Sequence, residues 1–221
     1  IINDKDVTDD PVNQRASLVG RVFQDPLKGT AAEMTIEENL SMAVKRGQKR
    51  GLKLGLNKER RDYFKNMLSL LELGLEDRLE APVKLLSGGQ RQALTLLMAT
   101  MGDPEILLLD EHTAALDPST GEKIIEITKK IVRENNLTVL LITHDPEEAV
   151  LLADKICVLS GKPGKIREKF DINEPQSERK LRDKKLYNIT QEIISLFMKL
   201  VDDYRWDKGK KTREIFTEIN E

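Results

Sequence analysis

The chain has 221 residues, of which 39% are hydrophobic and 33% are charged, so general disorder is excluded and one sizeable core can be buried. With 36 Lys and Arg against 38 Asp and Glu, the formal net charge is −2, which argues against a protein that holds nucleic acid through bulk positive charge. One cysteine and two histidines exclude an intrachain disulfide and leave little room for a zinc site.

The first part of the chain predicts a strand, a break and a capped helix. A strand is predicted over residues 17–23, and Gln-Asp-Pro at residues 24–26 breaks it. Thr35 and Glu38 have the spacing of a capping box, which predicts that a helix begins directly after Thr35. Residues 45–61 are crowded with Lys, Arg and Gly. They fit a solvated connector, or a contact with another protein or with lipid headgroups.

From residue 87 onward, apolar runs alternate with helical patterns. Runs of this kind over residues 105–110 and 138–143 are typical of strands buried in a parallel sheet. The predicted elements are, in order, a helix over 88–100, a strand over 105–110, a helix over 118–134, a strand over 138–143, a helix capped by Asp145, a hairpin over about 155–168 and a helix over 177–200. This order predicts an α/β fold with a mostly parallel sheet.

The segment Ser87-Gly88-Gly89-Gln90 has the features of a phosphate contact. Two glycines let a phosphate approach the backbone, and a serine hydroxyl can donate to an oxyanion. The N-terminal amides of the following helix point at the same place. A glycine turn that merely starts a helix is the alternative interpretation.

Two apolar strands end in residues that can do chemistry. Asp110 and Glu111 close the first, at the position where open α/β sheets place ligand chemistry. There Asp110 can hold Mg²⁺ and Glu111 can polarise an attacking water. His144 closes the next strand and, because parallel neighbours end at the same edge, can reach the same phosphate. A solvated strand end and a structural histidine are the alternatives.

Two further residues are candidates because of their place in the pattern. Gln24 follows the first predicted strand and can meet a metal or a water there. A simple turn residue is the alternative. Asp117 precedes Pro118, and by default it caps the following helix.

Together, these features resemble the ATP-binding subunit of ABC transporters. Residues 86–90 match the signature motif of that family, and residues 106–111 match its Walker B strand with the catalytic glutamate. Gln24 matches the Q-loop, Asp117 the D-loop and His144 the switch histidine.

The resemblance implies an α/β core like that of phosphate-loop NTPases, with an α-helical signature subdomain. It covers about residues 1–170, and the helical subdomain is expected at about residues 33–100. Residues 171–221 are expected to form a C-terminal helical and charged extension.

The resemblance also implies a function and partners. Two cassettes would form a head-to-tail dimer that sandwiches ATP, docked on transmembrane permease subunits as a peripheral protein at the cytoplasmic face of the cell membrane. The chain would energise transport by ATP hydrolysis in a bacterial importer of a small solute, either an amino acid or a nitrate-, sulfonate- or taurine-like molecule.

Each motif brings an expected role. Asp110 and Gln24 would serve Mg²⁺, Glu111 the attacking water and His144 the γ-phosphate of ATP. The segment from Ser87 through Gly88 and Gly89 to Gln90 would contact the ATP of the partner subunit. Asp117 would contact the partner's phosphate loop.

The chain departs from the family in one major respect. The Walker A string G-x-x-x-x-G-K-[ST] occurs nowhere in the sequence, and in the family it would stand upstream of the Q-loop. We therefore expect a chain that is cut short at its N-terminus, with a degenerate cassette as the alternative. Without this ATP anchor, the chain alone is expected to bind ATP weakly and to turn it over poorly.

Two smaller expectations concern single residues. His112 stands directly after Glu111, where the family usually has proline, and is expected to be a tolerated variant without a catalytic role. Cys157 lies in an apolar run and is expected to be an inert core residue.

Two other classes of function stay open beside the transporter subunit. A non-catalytic or regulatory cassette is favoured by the missing phosphate loop and disfavoured by the presence of Glu111 and His144. A DNA-repair-type ABC ATPase would place a long coiled coil between Gln24 and Ser87. That segment is short and has no heptad run, which disfavours this class.

Overall fold

The computed structural model describes residues 1–2, 4–47, 56–160, 164–180 and 183–208, with residues 185 and 201–208 described by their backbone alone. Eight residues of the predicted basic connector, 48–55, and the last part of the predicted extension, 209–221, lie outside the described residues. The chain divides into two compact units, Ile1–Thr143 and His144–Glu221.

The first unit is built on a three-stranded parallel sheet. Its strands are β1 (Val19–Val22), β2 (Ile106–Asp110) and β3 (Thr138–Ile142), in the spatial order β1-β2-β3. Val22 is level with Leu109, and Asp110 is level with Ile142. The carboxyl ends of all three strands therefore meet at one edge of the sheet.

Five α-helices in the described part of this unit accompany the sheet, and side-chain caps mark where four of them begin. They are α1 (Val12–Arg15), α2 (Ile36–Val44), α3 (Lys58–Ser69), α4 (Gly88–Thr100) and α5 (Pro118–Glu134). Thr35 caps α2 with the predicted capping box, in which the Glu38 amide donates to Thr35 Oγ1 and the Thr35 amide to Glu38 Oε2. Pro118 occupies the first turn of α5, where its missing N–H costs nothing.

The hydrophobic core lies on one face of the sheet. Val22, Leu107 and Leu109 are fully buried, and the cluster around them includes Leu94 of α4 and Ile124 of α5. Side chains alternate between faces along a strand, so the intervening residues point to the opposite face. On that face Leu140 remains 57% and Ile142 remains 47% exposed.

The second unit contains a short helix, a hairpin and a long helix. These are α6 (Pro146–Leu152), the antiparallel strands β4 (Lys155–Ser160) and β5 (Lys165–Asp171), and α7 (Lys184–Lys208). Arg179 is buried within the unit, where it donates to the carbonyl oxygens of Ala153 and Glu174, each at 2.8 Å.

The prediction of an α/β fold with a mostly parallel sheet is confirmed. The predicted hairpin is present, and Asp145 caps α6 as expected, accepting from the amides of Glu147 and Glu148. The prediction for Cys157 is wrong, because its side chain is exposed on β4. Its neighbour Val158 takes the buried position, and successive residues of a strand face opposite sides.

Candidate functional site

The carboxyl edge of the parallel sheet brings together three of the predicted site residues. Nε2 of Gln24, just beyond β1, donates to Oε2 of Glu111, just beyond β2, at 2.7 Å. Asp110 is the last residue of β2 and therefore lies beside this pair. Residues from two different strand ends thus form one polar group, at the place where open α/β sheets bind ligands.

The backbone of Glu111 adopts an unusual conformation. Its φ angle is +46°, in the left-handed region that residues other than glycine rarely enter. The Glu111 amide donates to the carbonyl of Ile142 at 2.8 Å, which ties the turn to the end of β3. A left-handed non-glycine residue costs on the order of 1 kcal/mol or more and persists only where its surroundings hold it. The residue with this strained backbone is the one that carries the candidate catalytic carboxylate.

Asp110 is already paired with a cation of the chain. Nη2 of Arg21 lies 2.7 Å from Oδ2 of Asp110, and the guanidinium also lies over the ring of Phe23, 4.5 Å from its centre. Both side chains are partly exposed, at 48% for Arg21 and 31% for Asp110. Such a pair contributes little to stability, about 0–1 kcal/mol, so a stronger ligand can replace it.

The donors at this edge fit a magnesium ion that takes most of its ligands elsewhere. Carboxylate and amide oxygens, as in Asp110 and Gln24, are the hard donors that Mg²⁺ prefers, and Arg21 engages one of the two carboxylate oxygens. Within the described residues, no three His, Cys, Asp or Glu side chains are grouped so as to hold a metal by themselves. This matches Mg²⁺ sites that use one or two protein oxygens together with phosphates and water.

The predicted phosphate-contact segment forms the start of α4. Ser87 caps the helix, accepting from the Gln90 amide, while the Gln90 side chain accepts from the Ser87 amide, each at 3.2 Å. Gly89 is buried, and a Cβ atom there would stand 2.3 Å from Cγ2 of Thr120. A Cβ atom at Gly88 would only make an ordinary contact, 3.6 Å from Leu116. Gly89 is therefore required by the packing of α4 against α5.

Asp117 lies close to this segment. It caps α5 by accepting from the Thr120 amide at 3.0 Å. Hydrogen bonds from the Thr120 side chain and then from the Thr120 amide lower the pKa of its exposed carboxyl group. Because Thr120 also packs against Gly89, the turns that begin α4 and α5 are neighbours. The structure thus shows the helix-capping interpretation of Asp117.

His144 belongs to the second unit, where it is exposed and precedes the cap of α6. Its predicted role toward the same phosphate as Glu111 stays a prediction.

Two residues of the site, Arg21 and Gln92, were missed by sequence reasoning, and a third, His112, was expected only as a tolerated variant. Arg21 pairs with Asp110, Gln92 is buried in α4, and His112 is buried directly after Glu111. Nε2 of His112 lies 3.1 Å from Oγ1 of Thr128, and burial lowers the pKa of the imidazole from 6.5 to about 4. Gln92 stands in the polar start of α4, directly before its apolar stretch, so no local signal in the sequence marks it as a buried residue.

Comparison with known proteins shows which family the chain is similar to. Residues 1–114 match the family described as "ABC transporter". The chain is 45% identical to a tyrosine transport ATP-binding protein of Clostridioides difficile over 66% of this chain and 58% of that protein. It is 35% identical to a taurine import ATP-binding protein of Jannaschia sp. over 69% of this chain and 53% of that one. The chain thus spans about half the length of the curated relatives it matches.

A solved structure extends the likeness to three dimensions. The dimeric, post-hydrolysis state of the ATP-binding cassette MJ0796, bound to ADP and Pi, matches with a TM-score of 0.60 and 30% identity. The match covers 78% of this chain and 70% of that one. None of the helices in the described part of this chain has the length and apolar character needed to cross a bilayer.

Proposed function

Because the chain belongs to the ABC transporter family, we propose that it is the ATP-binding and ATP-hydrolysing subunit of an ABC importer. The observation that supports this most is the hydrogen bond between Gln24 and Glu111 at the carboxyl edge of a parallel sheet. In this proposal residues 1–170 are the cassette, with its helical subdomain at about 33–100, and residues 171–221 are an extension.

Glu111 is the residue that we assign to the attacking water. A carboxylate accepts a proton from water when it lies within hydrogen-bond reach of it. The strained turn points Glu111 out from the strand end, and Gln24 holds one of its oxygens at 2.7 Å. In this proposal the Glu111 carboxylate takes the proton of the water, and Gln24 links the occupancy of the site to the loop after β1.

Asp110 is the residue that we assign to Mg²⁺, with Gln24 as a second ligand. When bound, the ion neutralises charge on the phosphates during transfer. Arg21 neutralises Asp110 from the same side of the sheet. Arg21 must release one carboxylate oxygen, at a small cost because the pair is partly exposed.

A second copy of the cassette completes the site in this proposal. Ser87, Gly88, Gly89 and Gln90 contact the ATP held by the partner, and Asp117 contacts the partner's phosphate loop. The adjacency of the turns that begin α4 and α5, through Gly89 and Thr120, supports their acting together on one partner surface. His144 contacts the γ-phosphate.

A groove in the first unit is the place that we assign to a transmembrane permease subunit at the cytoplasmic face of the membrane. Its volume is about 780 Å³, and β1, α2 and α4 line it. Four cations border it, Arg21, Lys28, Lys45 and Arg46, and no Asp or Glu is among the described residues that line it. Met42 and Met98 add apolar surface to the lining of the groove. These features suit an amphipathic permease segment that carries acidic residues.

The solute that we propose is a small molecule with the chemistry of an amino acid or a sulfonate. The relatives in the comparison transport tyrosine and import taurine, and another, from Enterococcus faecalis, imports methionine with 36% identity to this chain.

A non-catalytic cassette is the second candidate, and one observation favours it. No G-x-x-x-x-G-K-[ST] string occurs in the sequence, and this loop is the main anchor for the β- and γ-phosphates in the family. Under this candidate the chain closes on a partner cassette and contacts the partner's ATP through Ser87 without hydrolysing ATP of its own.

The experiment that separates the two candidates compares two proteins. One is the 221-residue chain, and the other is the same chain fused to the strand and phosphate loop of the tyrosine transport relative. The ATPase proposal predicts that Mg-ATP turnover is negligible in the chain, appears in the fusion and disappears again with Glu111→Gln. A fusion that binds ATP but shows no turnover above that of its Glu111→Gln variant favours the non-catalytic cassette.

A further inference from the structure

Gln92 connects the two loops that carry Gln24 and Glu111. Its side chain is 1% exposed in the middle of α4. Nε2 donates to the carbonyl oxygen of His112 at 2.6 Å and to that of Phe23 at 3.3 Å. Those carbonyls belong to the residue after Glu111 and the residue before Gln24. One buried amide therefore bridges the backbones on which the hydrogen-bonded pair is mounted.

The hydrogen bonds of Gln92 use both hydrogens of its amide nitrogen. A primary amide carries two N–H donors, and two carbonyl acceptors match them. The amide oxygen of Gln92 has no partner among the described residues, so its burial is offset by the two donated bonds alone. If the side chain at this position only filled space, an apolar residue would do so at a lower desolvation cost.

The loop after β2 is held from its other side by α5. Oγ1 of Thr128 donates its single hydrogen to the carbonyl of Ile124 at 2.7 Å, so Nε2 of His112 is the donor in its 3.1 Å contact with Thr128. The loop is thus fixed to α5 by the His112 side chain and to α4 by the His112 carbonyl. Between these anchors and β3, Glu111 keeps its left-handed backbone conformation.

We propose that Gln92 is a positioning residue that sets the distance between Gln24 and Glu111 and links that pair to α4. Ser87 caps the N-terminus of α4, so movement of this end is carried to the Gln24–Glu111 pair by the Gln92 amide. The catalytic meaning of this link rests on the proposed function, in which Ser87 contacts the ATP of the partner and Glu111 serves the chain's own site. Gln92 then couples one nucleotide site to the other.

The test uses NMR on the isotope-labelled 221-residue chain without nucleotide. In the unmodified chain, couplings across hydrogen bonds are expected between the Gln92 side-chain nitrogen and the carbonyl carbons of Phe23 and His112. Gln92→Met, which has a similar size and no donor, is expected to move the Gln24 side-chain signal to the position of an exposed glutamine. It should also speed hydrogen exchange at the Glu111 amide by about five- to tenfold, since two hydrogen bonds are lost.

Thr100→Val is the matched control, because it removes a buried donor from the same helix. Its hydroxyl donates only to the carbonyl of Leu97, one turn back, and it is expected to leave the Gln24 signal and the Glu111 exchange rate unchanged. If Gln92→Met does not fold, Gln92→Asn keeps the amide on a shorter side chain and is expected to give the same shifts. Absence of both couplings in the unmodified chain, or a Gln24 signal unmoved by either variant, would overturn the proposal.

The outcome is independent of the proposed function. If the fusion with a phosphate loop shows no turnover while the Gln92 variants disturb the Gln24–Glu111 pair, the positioning role stands and the ATPase proposal fails. If turnover depends on Glu111 while the Gln24 signal and the Glu111 exchange rate are unchanged in the Gln92 variants, the ATPase proposal stands and the positioning role fails.

Discussion

Gln24 and Glu111 are 87 positions apart in the sequence, yet their side chains share a 2.7 Å hydrogen bond at one edge of the parallel sheet. The contact exists because β1 and β2 are adjacent and end level with each other. A glutamine that reads as a turn residue in the sequence thereby becomes the direct partner of the strained carboxylate.

Glu111→Gln should abolish ATP turnover in the fusion that carries a phosphate loop, with ATP binding retained. The variant keeps the shape of the side chain but cannot accept a proton, so a loss of about a hundredfold or more is expected. Phosphate release measures turnover, and nucleotide titration measures binding. Gln24→Ala should cost less, because Gln24 orients Glu111 and takes no proton. A complete loss of ATP binding in Glu111→Gln would contradict the assignment of Glu111 to the attacking water.

Gly89→Ala should destabilise the chain, whereas Gly88→Ala should not. The new Cβ at Gly89 meets Thr120 at 2.3 Å, and overpacking of this kind costs about 1–3 kcal/mol. Gly88 has room, and alanine is the better helix former there. Urea unfolding of both variants measures the difference. Adding Thr120→Ala to Gly89→Ala should restore most of the loss, and no recovery in this double variant would refute the packing argument.

His112 should make the chain less stable in mild acid. Burial lowers the pKa of the folded-state imidazole from 6.5 to about 4, so the unfolded chain binds a proton that the folded chain rejects. The stability of the fold with neutral His112 is fully present above the pKa of the unfolded chain, 6.5, and is lost as the pH falls toward the folded-state pKa of about 4. The free energy of unfolding should drop by about 2 kcal/mol from this group between about pH 7 and about pH 5.

The control for this effect is His112→Gln, which keeps a donor for Thr128 but does not titrate. Its free energy of unfolding should be lower at neutral pH and should change less over the same pH range. Parallel curves of the free energy of unfolding against pH for the two proteins would show that folding does not lower the pKa of His112.

Charge reversal in the groove should weaken the contact with the permease. Lys28→Glu combined with Lys45→Glu replaces two cations that border it, so an acidic segment would be repelled. Co-purification with the permease subunits of the same transporter measures the effect, and added salt should weaken the unmodified complex as well. Lys123→Glu, which does not border the groove, is the control and should bind normally. If the double variant co-purifies with as much permease as the unmodified chain does, the contact lies elsewhere.

Much of the fold could be predicted because its signals are local. The capping boxes at Thr35 and at Ser87 join residues three positions apart, and the apolar runs predict β2 and β3 as strands. The prediction of burial is wrong for β3, in which every residue is exposed or half-buried. The same signals misplaced Cys157, because a short apolar run does not say which side of a strand is covered. For the same reason, the exposed Leu140 on β3 could not be anticipated.

The sequence by itself determined the starts of α2, α4, α5 and α6, the order of the main α/β elements and the motifs that point to the ABC transporter family. These depend on hydrogen bonds and apolar spacing within a few residues. Tertiary structure decided the pairings that make the site, namely Gln24 with Glu111, Arg21 with Asp110, and Gln92 with two separate loops. Such contacts join residues 20 to 89 positions apart. They form only when strand register and helix packing bring those residues together, and no local pattern encodes that distance.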